Sequence, residues 1–379
     1  MKVSNGWNNT YNNKINQNKL NFKGGKTYLI TDFDGTLKTE SMFNSYNLYN
    51  YFYSIRQFQN ALSNKLKIII STGRNKYWCK EAINEEMDYK KRDISPKIRK
   101  KYYPNVSSII ANNGEKKYKI IDNKLTYSEN YEIKKIEFLK KRFQIDLKKM
   151  GLIIKQTIEK NNLSNNVKYN KHFPLKLSFK FDKIDKTQYI SIINQLYDEL
   201  GLLDTSFDIY ADKEENEVFV KLKRNGQSLA KDTDAIMKLE KAKQNNDLVI
   251  VAGNGVNDKE MLNIFSYVNL PQNYKIPSNY EEAQLLLTNH PEIKKQIDKL
   301  PLRIIVVGDL IQNSSRDSES LMDFFQSNFS EQYKFIPNTE NYQSNYYLKA
   351  IKSSINSYLV KNPEFSKEYN FEEICTLIN

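Results

Sequence analysis

Four short apolar runs, separated by longer amphipathic stretches, constrain this chain more than any other feature. They are residues 26–31 (KTYLIT), 67–71 (KIIIS), 106–111 (VSSIIA) and 247–252 (DLVIVA). Each is too short for a helix and almost continuously apolar, the pattern of a strand covered on both faces. Between the first two, residues 42–62 (MFNSYNLYNYFYSIRQFQNAL) are aromatic-rich and predicted helical, and residues 75–93 are predicted helical as well. Strand–helix–strand alternation predicts an α/β fold with a parallel sheet and crossover helices. Ligands of such sheets gather beyond the carboxyl ends of the strands. The residues that follow each run are therefore where chemistry is to be sought.

Between the third and fourth runs the pattern changes. Residues 131–161 have the spacing of one long amphipathic helix. Segments 167–169 and 175–181 (LKLSFKF) alternate like half-exposed strands. Residues 186–200 read as a helix closed by Gly201, and 207–211 and 217–223 (EVFVKLK) as strands. Helix–strand–strand, twice over, predicts an α+β module with an antiparallel sheet, inserted into the α/β domain. The expected organisation is a loose polar arm at 1–25, a core from 26–114 and 217–300, an insert at 115–216, and an extension of unknown role at 301–379. Within that extension, residues 302–307 (LRIIVV) look like one more strand, ending in Gly308-Asp309.

The chain has 379 residues, of which 39% are apolar, with 26 Tyr and 19 Phe; that is enough for a core and argues against long disorder. No run approaches a membrane span, and the Asn-rich N-terminus has no apolar stretch of the secretory kind. The only cysteines, Cys79 and Cys375, lie at opposite ends of the sequence, which argues against a disulfide framework or a cysteine zinc site. The expected location is cytoplasmic. The formal charge of +13 admits a nucleic-acid partner, but the lysines are spread through most segments rather than gathered in one block.

The ends of the runs share a theme. The first ends in Asp32-Phe33-Asp34-Gly35-Thr36, the second in Ser71-Thr72-Gly73-Arg74, the third in Asn112-Asn113-Gly114, and the fourth in Gly253-Asn254-Gly255-Val256-Asn257-Asp258. Two aspartates so close together repel each other unless something positive sits among them, which points to a metal, a phosphate or both. Taken singly, each stretch also has a plain reading. An Asx-rich turn would account for the first, a helix cap for Ser71-Thr72-Gly73, a solvated side chain for Arg74, and a simple turn for the third. His172 and His290 read as structural or surface residues, and Trp78 as core.

Together and in this order, these motifs resemble the haloacid dehalogenase superfamily of phosphohydrolases, through DxDGT, the strand-end serine and GxxxND. The resemblance spans about residues 26–270. It implies a Rossmann-like core with Asp32 as nucleophile and Asp34 as general acid and base. Ser71, Thr72, Gly73, Arg74, Gly35, Asn113 and Gly114 would border phosphate or substrate. Mg²⁺ would be held by Asp32, Asp34, Asn254 and Asp258. The chemistry suits these residue types. A carboxylate can attack phosphorus once a cation offsets its repulsion from the phosphoryl oxygens, and Mg²⁺ is a hard ion that prefers such oxygens. Gly35 lets the chain turn sharply beside the phosphate.

Two features depart from the family pattern. Asn254 stands where the family usually has an acid, so it offers a carbonyl oxygen without charge. The lysine that neutralises the phosphoryl-enzyme is ambiguous in sequence: Lys231 is preferred, with Lys223 as the alternative. The insert lies where the family carries its C2-type cap, similar to those of sucrose-phosphate, trehalose-phosphate and Cof-type sugar phosphatases. By that resemblance the partner is a small phosphorylated substrate. A phosphoprotein or nucleic-acid end, or a non-catalytic role, is the alternative.

Overall fold

In a computed structural model that describes residues 25–37, 45–62, 65–74, 104–111, 114, 116–121, 124–143, 147–163, 167–169, 176–181, 186–201, 207–212, 217–224, 227–228, 231–254, 258–271, 274–308, 321–336 and 344–363, the four apolar runs become neighbouring strands. They are β1 (Thr27–Thr31), β2 (Leu66–Ser71), β3 (Val106–Ala111) and, further along the chain, β11 (Leu248–Gly253). They lie side by side and parallel in the order β11-β1-β2-β3. The register matches Thr31 with Ala252 on one side and with Ile70 on the other, so the three strands end level. That levelness brings residues distant in sequence to a single edge.

The sheet is wider than these four strands. β4 (Lys116–Ile121) folds back antiparallel on β3, and β5 (Lys124–Tyr127) pairs antiparallel with β4. On the other side, β12 (Leu302–Val307) runs parallel to β11, and β13 (Tyr333–Ile336) parallel to β12. The result is an eight-stranded sheet in the order β13-β12-β11-β1-β2-β3-β4-β5.

Alternate residues of the strands feed two cores. Leu29, Ile68, Ile70, Ile109 and Ile250 face one side, under α1 (Ser45–Ala61) and α10 (Ser344–Lys361), where Phe52, Ile55, Phe58, Tyr347, Ile351 and Ile355 join them. Ile30, Ile69, Ile110, Val249 and Val251 face the other side. There they meet α5 (Lys231–Asn245), α6 (Lys259–Leu262), the short turn Ile264–Tyr267, α7 (Tyr280–Asn289), α8 (Pro291–Asp298) and α9 (Leu321–Asn328). Both faces are covered, as the unbroken apolar strands require.

The elements between β5 and α5 follow the predicted order. They are α2 (Glu129–Phe143), α3 (Leu147–Lys160), β6 (Val167–Tyr169), β7 (Lys176–Phe181), α4 (Lys186–Gly201), β8 (Phe207–Asp212), β9 (Glu217–Arg224) and β10 (Gln227–Ser228). Strand β9 is central, paired antiparallel with β7 and β8, and β6 pairs with β7. α3 and α4 pack together through buried Ile154, Ile158, Ile192 and Leu196, and Asn161 donates to Gln195 at 2.8 Å.

Four expectations differ from this arrangement. The predicted helix over 131–161 is two helices, α2 and α3. Residues 116–127, assigned from sequence to the insert, extend the main sheet. There Gly114 takes a φ of +93°, a conformation that favours glycine, where the chain reverses between β3 and β4. Residues 217–224, assigned to the core, form the middle strand of the second sheet. Within the predicted extension, residues 302–307 and 333–336 supply two strands of the main sheet and residues 344–361 a covering helix. The predicted arm up to residue 24, the predicted helix at 75–93, and Asn112 and Asn113 lie outside the described residues. Among the described residues no helix is long and apolar enough to cross a membrane.

Candidate active site

At the carboxyl end of β1 the chain stops pairing and turns. The Asp32 N–H donates to Ala252 O at 2.9 Å, and the Leu37 N–H closes the turn onto Asp32 O at 3.3 Å. Within that turn Gly35 has a φ of +71°. Asp32 and Asp34 both lie beyond β1 rather than on it, and they occupy different surroundings. Asp32 is buried, while the Asp34 side chain is 42% exposed.

The first residue of α5 meets Asp32. Lys231 Nζ donates to Asp32 Oδ1 at 3.0 Å and to Asp258 Oδ1 at 2.7 Å, with its own side chain 1% exposed. Asp258 Oδ2 accepts the Asn254 N–H at 3.1 Å, which ties the turn after β11 to the same group. Lys231 therefore bridges two buried carboxylates from the ends of β1 and β11. Of the two lysines considered from sequence, it is the one placed against Asp32; Lys223 sits in β9, opposite Ser228.

The electrostatics follow from burial and from these charges. Burial, and then the charge of Asp258, push the Asp32 carboxyl up to about 6, while Lys231 pulls it the other way. Burial alone would lower the Lys231 ammonium, but Asp258 and Asp32 outweigh it and the net direction is upward. Lys231 thus stays charged, and Asp32 gives up its proton less readily than an exposed aspartate.

Ser71 ends β2, next to Asp32 across the β1–β2 register. It is fully buried, and its hydroxyl has no hydrogen-bond partner among the described residues. A buried, unsatisfied hydroxyl beside a carboxylate–lysine pair is a position where an arriving oxygen would gain a bond the protein leaves open. The Thr72 N–H donates to Ile110 O, and Thr72 Oγ1 accepts the Arg74 N–H, so the turn after β2 is held firmly. Gly73 and Arg74 are exposed, and Arg74 Nε reaches Asp34 Oδ2 at 3.3 Å. Asn254 leans over Gly35, where a Cβ would fall 2.0 Å from its Nδ2, and its Oδ1 accepts the Thr36 hydroxyl at 3.1 Å.

Asp32, Asp34, Gly35, Ser71, Thr72, Gly73, Arg74, Lys231, Asn254 and Asp258 therefore converge on one sheet end. Gly114 is buried elsewhere: its carbonyl accepts from Lys135 Nζ at 2.7 Å and lies 3.0 Å from Tyr131 Oη, whose single proton goes to Asp234. A cavity of about 540 Å³ lined by Glu240, Lys243, Tyr267, Asn269, Gln296 and Lys299 sits toward the far end of α5 and includes none of these residues.

Sequence reading missed Thr36, whose hydroxyl orients Asn254. It also missed Tyr131, Lys135 and Asp234, which form a buried cluster one turn along α5 from Lys231. Lys135 Nζ reaches Asp234 Oδ2 at 3.1 Å, and the Tyr131 hydroxyl donates to Asp234 Oδ1 at 2.5 Å. A signal was present: Tyr131, Lys135, Phe138 and Leu139 fall at helical spacing, which puts a lysine on an apolar stripe.

As to a metal, Asp32 and Asp258 offer hard anionic oxygens close enough to share one ammonium, and Asn254 offers a neutral oxygen beside them. These are oxygens of the kind a small divalent cation such as Mg²⁺ takes, but among the described residues no three acidic, histidine or cysteine side chains gather as a metal group.

No family model and no curated protein matches the sequence. Among solved structures, several align with most of the chain at low identity. The sucrose-phosphatase of Synechocystis sp. PCC6803 aligns at 10% identity and a TM-score of 0.38, over 88% of this chain and 98% of that one. Trehalose-6-phosphate phosphatase of Aspergillus fumigatus aligns at 11% identity and a TM-score of 0.37, over 89% and 96%. A haloacid dehalogenase-like hydrolase of Bacillus subtilis aligns at 15% identity and 0.36, over 68% and 86%.

Proposed function

We propose that the protein is a phosphatase that hydrolyses a small phosphorylated metabolite, a sugar phosphate in the first instance, through a phosphoryl group carried on Asp32. The observation that carries this is the Lys231 bridge between Asp32 and Asp258, set beside the unsatisfied hydroxyl of Ser71.

The residues divide the work as follows. Lys231 engages Oδ1 of Asp32, which leaves Oδ2 to attack phosphorus. As the new P–O bond forms, the ester P–O bond breaks, and the leaving oxygen takes a proton from Asp34, which enters this step in its protonated form, released from Arg74. The exposed position of Asp34, steadied by Arg74, suits a group that must meet both substrate and water. Asp34 then removes a proton from a water molecule that attacks the phosphoryl group, freeing phosphate and restoring Asp32. Ser71 donates to a phosphoryl oxygen, and Lys231 offsets the charge gathered on Asp32. Asp32, Asp258 and the Asn254 carbonyl would hold Mg²⁺, which supplies charge neutralisation for the phosphoryl oxygens. The second sheet, joined to the core after α2 and before α5, would act as the cap that restricts access and favours a small substrate.

The test is phosphate release from a panel of sugar phosphates, nucleotides, phosphopeptides and an aryl phosphate, with and without Mg²⁺, using Asp32→Asn as the control. The expected result is Mg²⁺-dependent turnover that vanishes in Asp32→Asn, fastest on sugar phosphates. Turnover that survives Asp32→Asn would remove Asp32 from its role. No turnover from the folded protein on any substrate would favour the non-catalytic reading, for which the uncharged Asn254 is the specific observation.

A further inference from the structure

Most of the oxygens that would hold a cation are already engaged by the protein itself. Asp32 Oδ1 takes Lys231 at 3.0 Å, Asp258 Oδ1 takes Lys231 at 2.7 Å, and Asp258 Oδ2 takes the Asn254 N–H at 3.1 Å. Asp34 Oδ2 takes Arg74 at 3.3 Å, and Asn254 Oδ1 takes the Thr36 hydroxyl at 3.1 Å. The charges are close to balanced as well. Two buried carboxylates share one buried ammonium, Asp34 is paired with Arg74, and Asn254 adds no charge. Among these described side chains a cation arriving alone would meet one net negative charge and would have to share oxygens with Lys231 at close range.

A phosphate dianion arriving alone fares no better. Ser71 offers it an unsatisfied hydroxyl, and Lys231 and Arg74 offer positive charge. Against these stand Asp32 and Asp258, both buried and within reach of the same ammonium. A divalent cation and a phosphate dianion arriving together are neutral as a pair. Each then cancels the repulsion the other would meet: the cation screens the phosphoryl oxygens from Asp32, and the phosphate completes the charge that Asn254 leaves out.

We infer that this site takes its divalent cation and its phosphate ligand together, each binding weakly without the other, and that Asn254 sets this dependence. The inference rests on the reading of the group as a phosphoryl-transfer site, and it concerns how that site is loaded. Asn254 is held in its role from two sides. Its Nδ2 lies so close over Gly35 that no Cβ fits there, and its Oδ1 is fixed by Thr36. The uncharged side chain is thus built into the turn rather than loosely placed. An aspartate of the same shape would add the missing charge and let the cation bind unaided.

The experiment is direct titration of the full chain with Mn²⁺, followed by the electron paramagnetic resonance of the free ion, with and without inorganic phosphate. Calorimetric titration of phosphate, with and without metal, runs in parallel. The expected result is a gain in Mn²⁺ affinity of about tenfold or more when phosphate is present, and a gain of the same factor for phosphate when metal is present. In Asn254→Asp, Mn²⁺ should bind about tenfold or more tightly by itself, and the mutual gain should shrink. Mn²⁺ affinity that phosphate leaves unchanged in the natural protein overturns the inference, whether or not the variant folds. So does an Asn254→Asp variant that is folded and binds Mn²⁺ no better, and so does absence of Mn²⁺ binding with phosphate present. Aryl phosphate turnover, measured on the same samples, separates the two proposals. Mutual gain without turnover keeps this inference and sinks the phosphatase, whereas turnover with independent metal binding does the reverse.

Discussion

Burial, and then the charge of Asp258, hold the Asp32 carboxyl up at about 6 against the opposing pull of Lys231. A carboxyl raised on folding stabilises the fold while it is protonated. That contribution is complete below about pH 4 and is lost as pH climbs through about 6. Asp32→Asn removes the titration. Relative to the natural protein, the variant should gain about 1–3 kcal/mol in metal-free urea unfolding between pH 4 and pH 7. A difference that stays flat with pH would show that Asp32 titrates as an ordinary aspartate. Gly35 makes a second residue-level prediction. At a φ of +71°, alanine is strained by about 1–2 kcal/mol, and its Cβ would displace the Asn254 amide. Gly35→Ala should therefore lose more stability than backbone strain alone explains. Pairing it with Asn254→Gly should recover the steric part, and equal losses in the single and double variants would contradict the contact. The sequence already carried much of this scale. Paired aspartates, a glycine and a terminal serine after apolar strands marked residues that the structure brings to one sheet end. The sequence preferred Lys231 but left Lys223 open, because the choice depends on which of the two falls at the sheet end, and that is set by where α5 begins.

The helices that flank the core are fastened to each other by a polar cluster. Tyr131 and Lys135 on α2 close on Asp234 of α5 and on the carbonyl of Gly114, with Lys135 fully buried. Asp234 is one turn from Lys231, so the fastening holds the same turn of α5 that presents the bridging ammonium. A buried ion pair adds little net stability as a pair, but removing one partner strands the other charge in the core. Lys135→Met and Asp234→Leu should each lower stability by about 3–5 kcal/mol, and the double variant should regain most of that loss. Additive losses in thermal or urea unfolding would mean the two side chains are not coupled. Only half of this device could be read from sequence. The apolar stripe of α2 revealed a lysine in a core position, but its partner lies 99 residues away and nothing local marks it. The predicted single helix over 131–161 is two, α2 and α3, for a related reason: both carry helical spacing, so periodicity alone does not show where one ends and the next begins.

Across the whole molecule, early and late parts of the chain are joined at the strand that precedes Asp32. α10 lies over the sheet face with Tyr347, Leu348, Ile351, Ile355 and Leu359 buried, and the Tyr347 hydroxyl donates to Thr31 Oγ1 at 2.7 Å. Thr31 Oγ1 in turn donates to Asp32 O at 2.8 Å. From sequence these residues were an extension, because β13 is only Tyr333–Ile336 and no chemical motif follows β12. Motifs mark where reactions happen, whereas the sheet is completed wherever apolar strands find an open edge. The consequence is testable by truncation at residue 343. Each of the five buried side chains contributes about 1.5–3 kcal/mol, so their combined loss is comparable with the roughly 5–15 kcal/mol of net stability expected for a domain. The truncated protein should lack a cooperative unfolding transition and should expose the Phe52–Phe58 face of α1, measurable as dye binding. Tyr347→Phe is the finer cut. It keeps the ring in the core and removes one buried hydrogen bond, so it should stay folded and lose about 1 kcal/mol. A truncated protein that unfolds cooperatively at the natural midpoint would return α10 to the status of an appendage. A truncated protein that fails, beside a Tyr347→Phe that holds, would make this helix part of the core that supports Asp32.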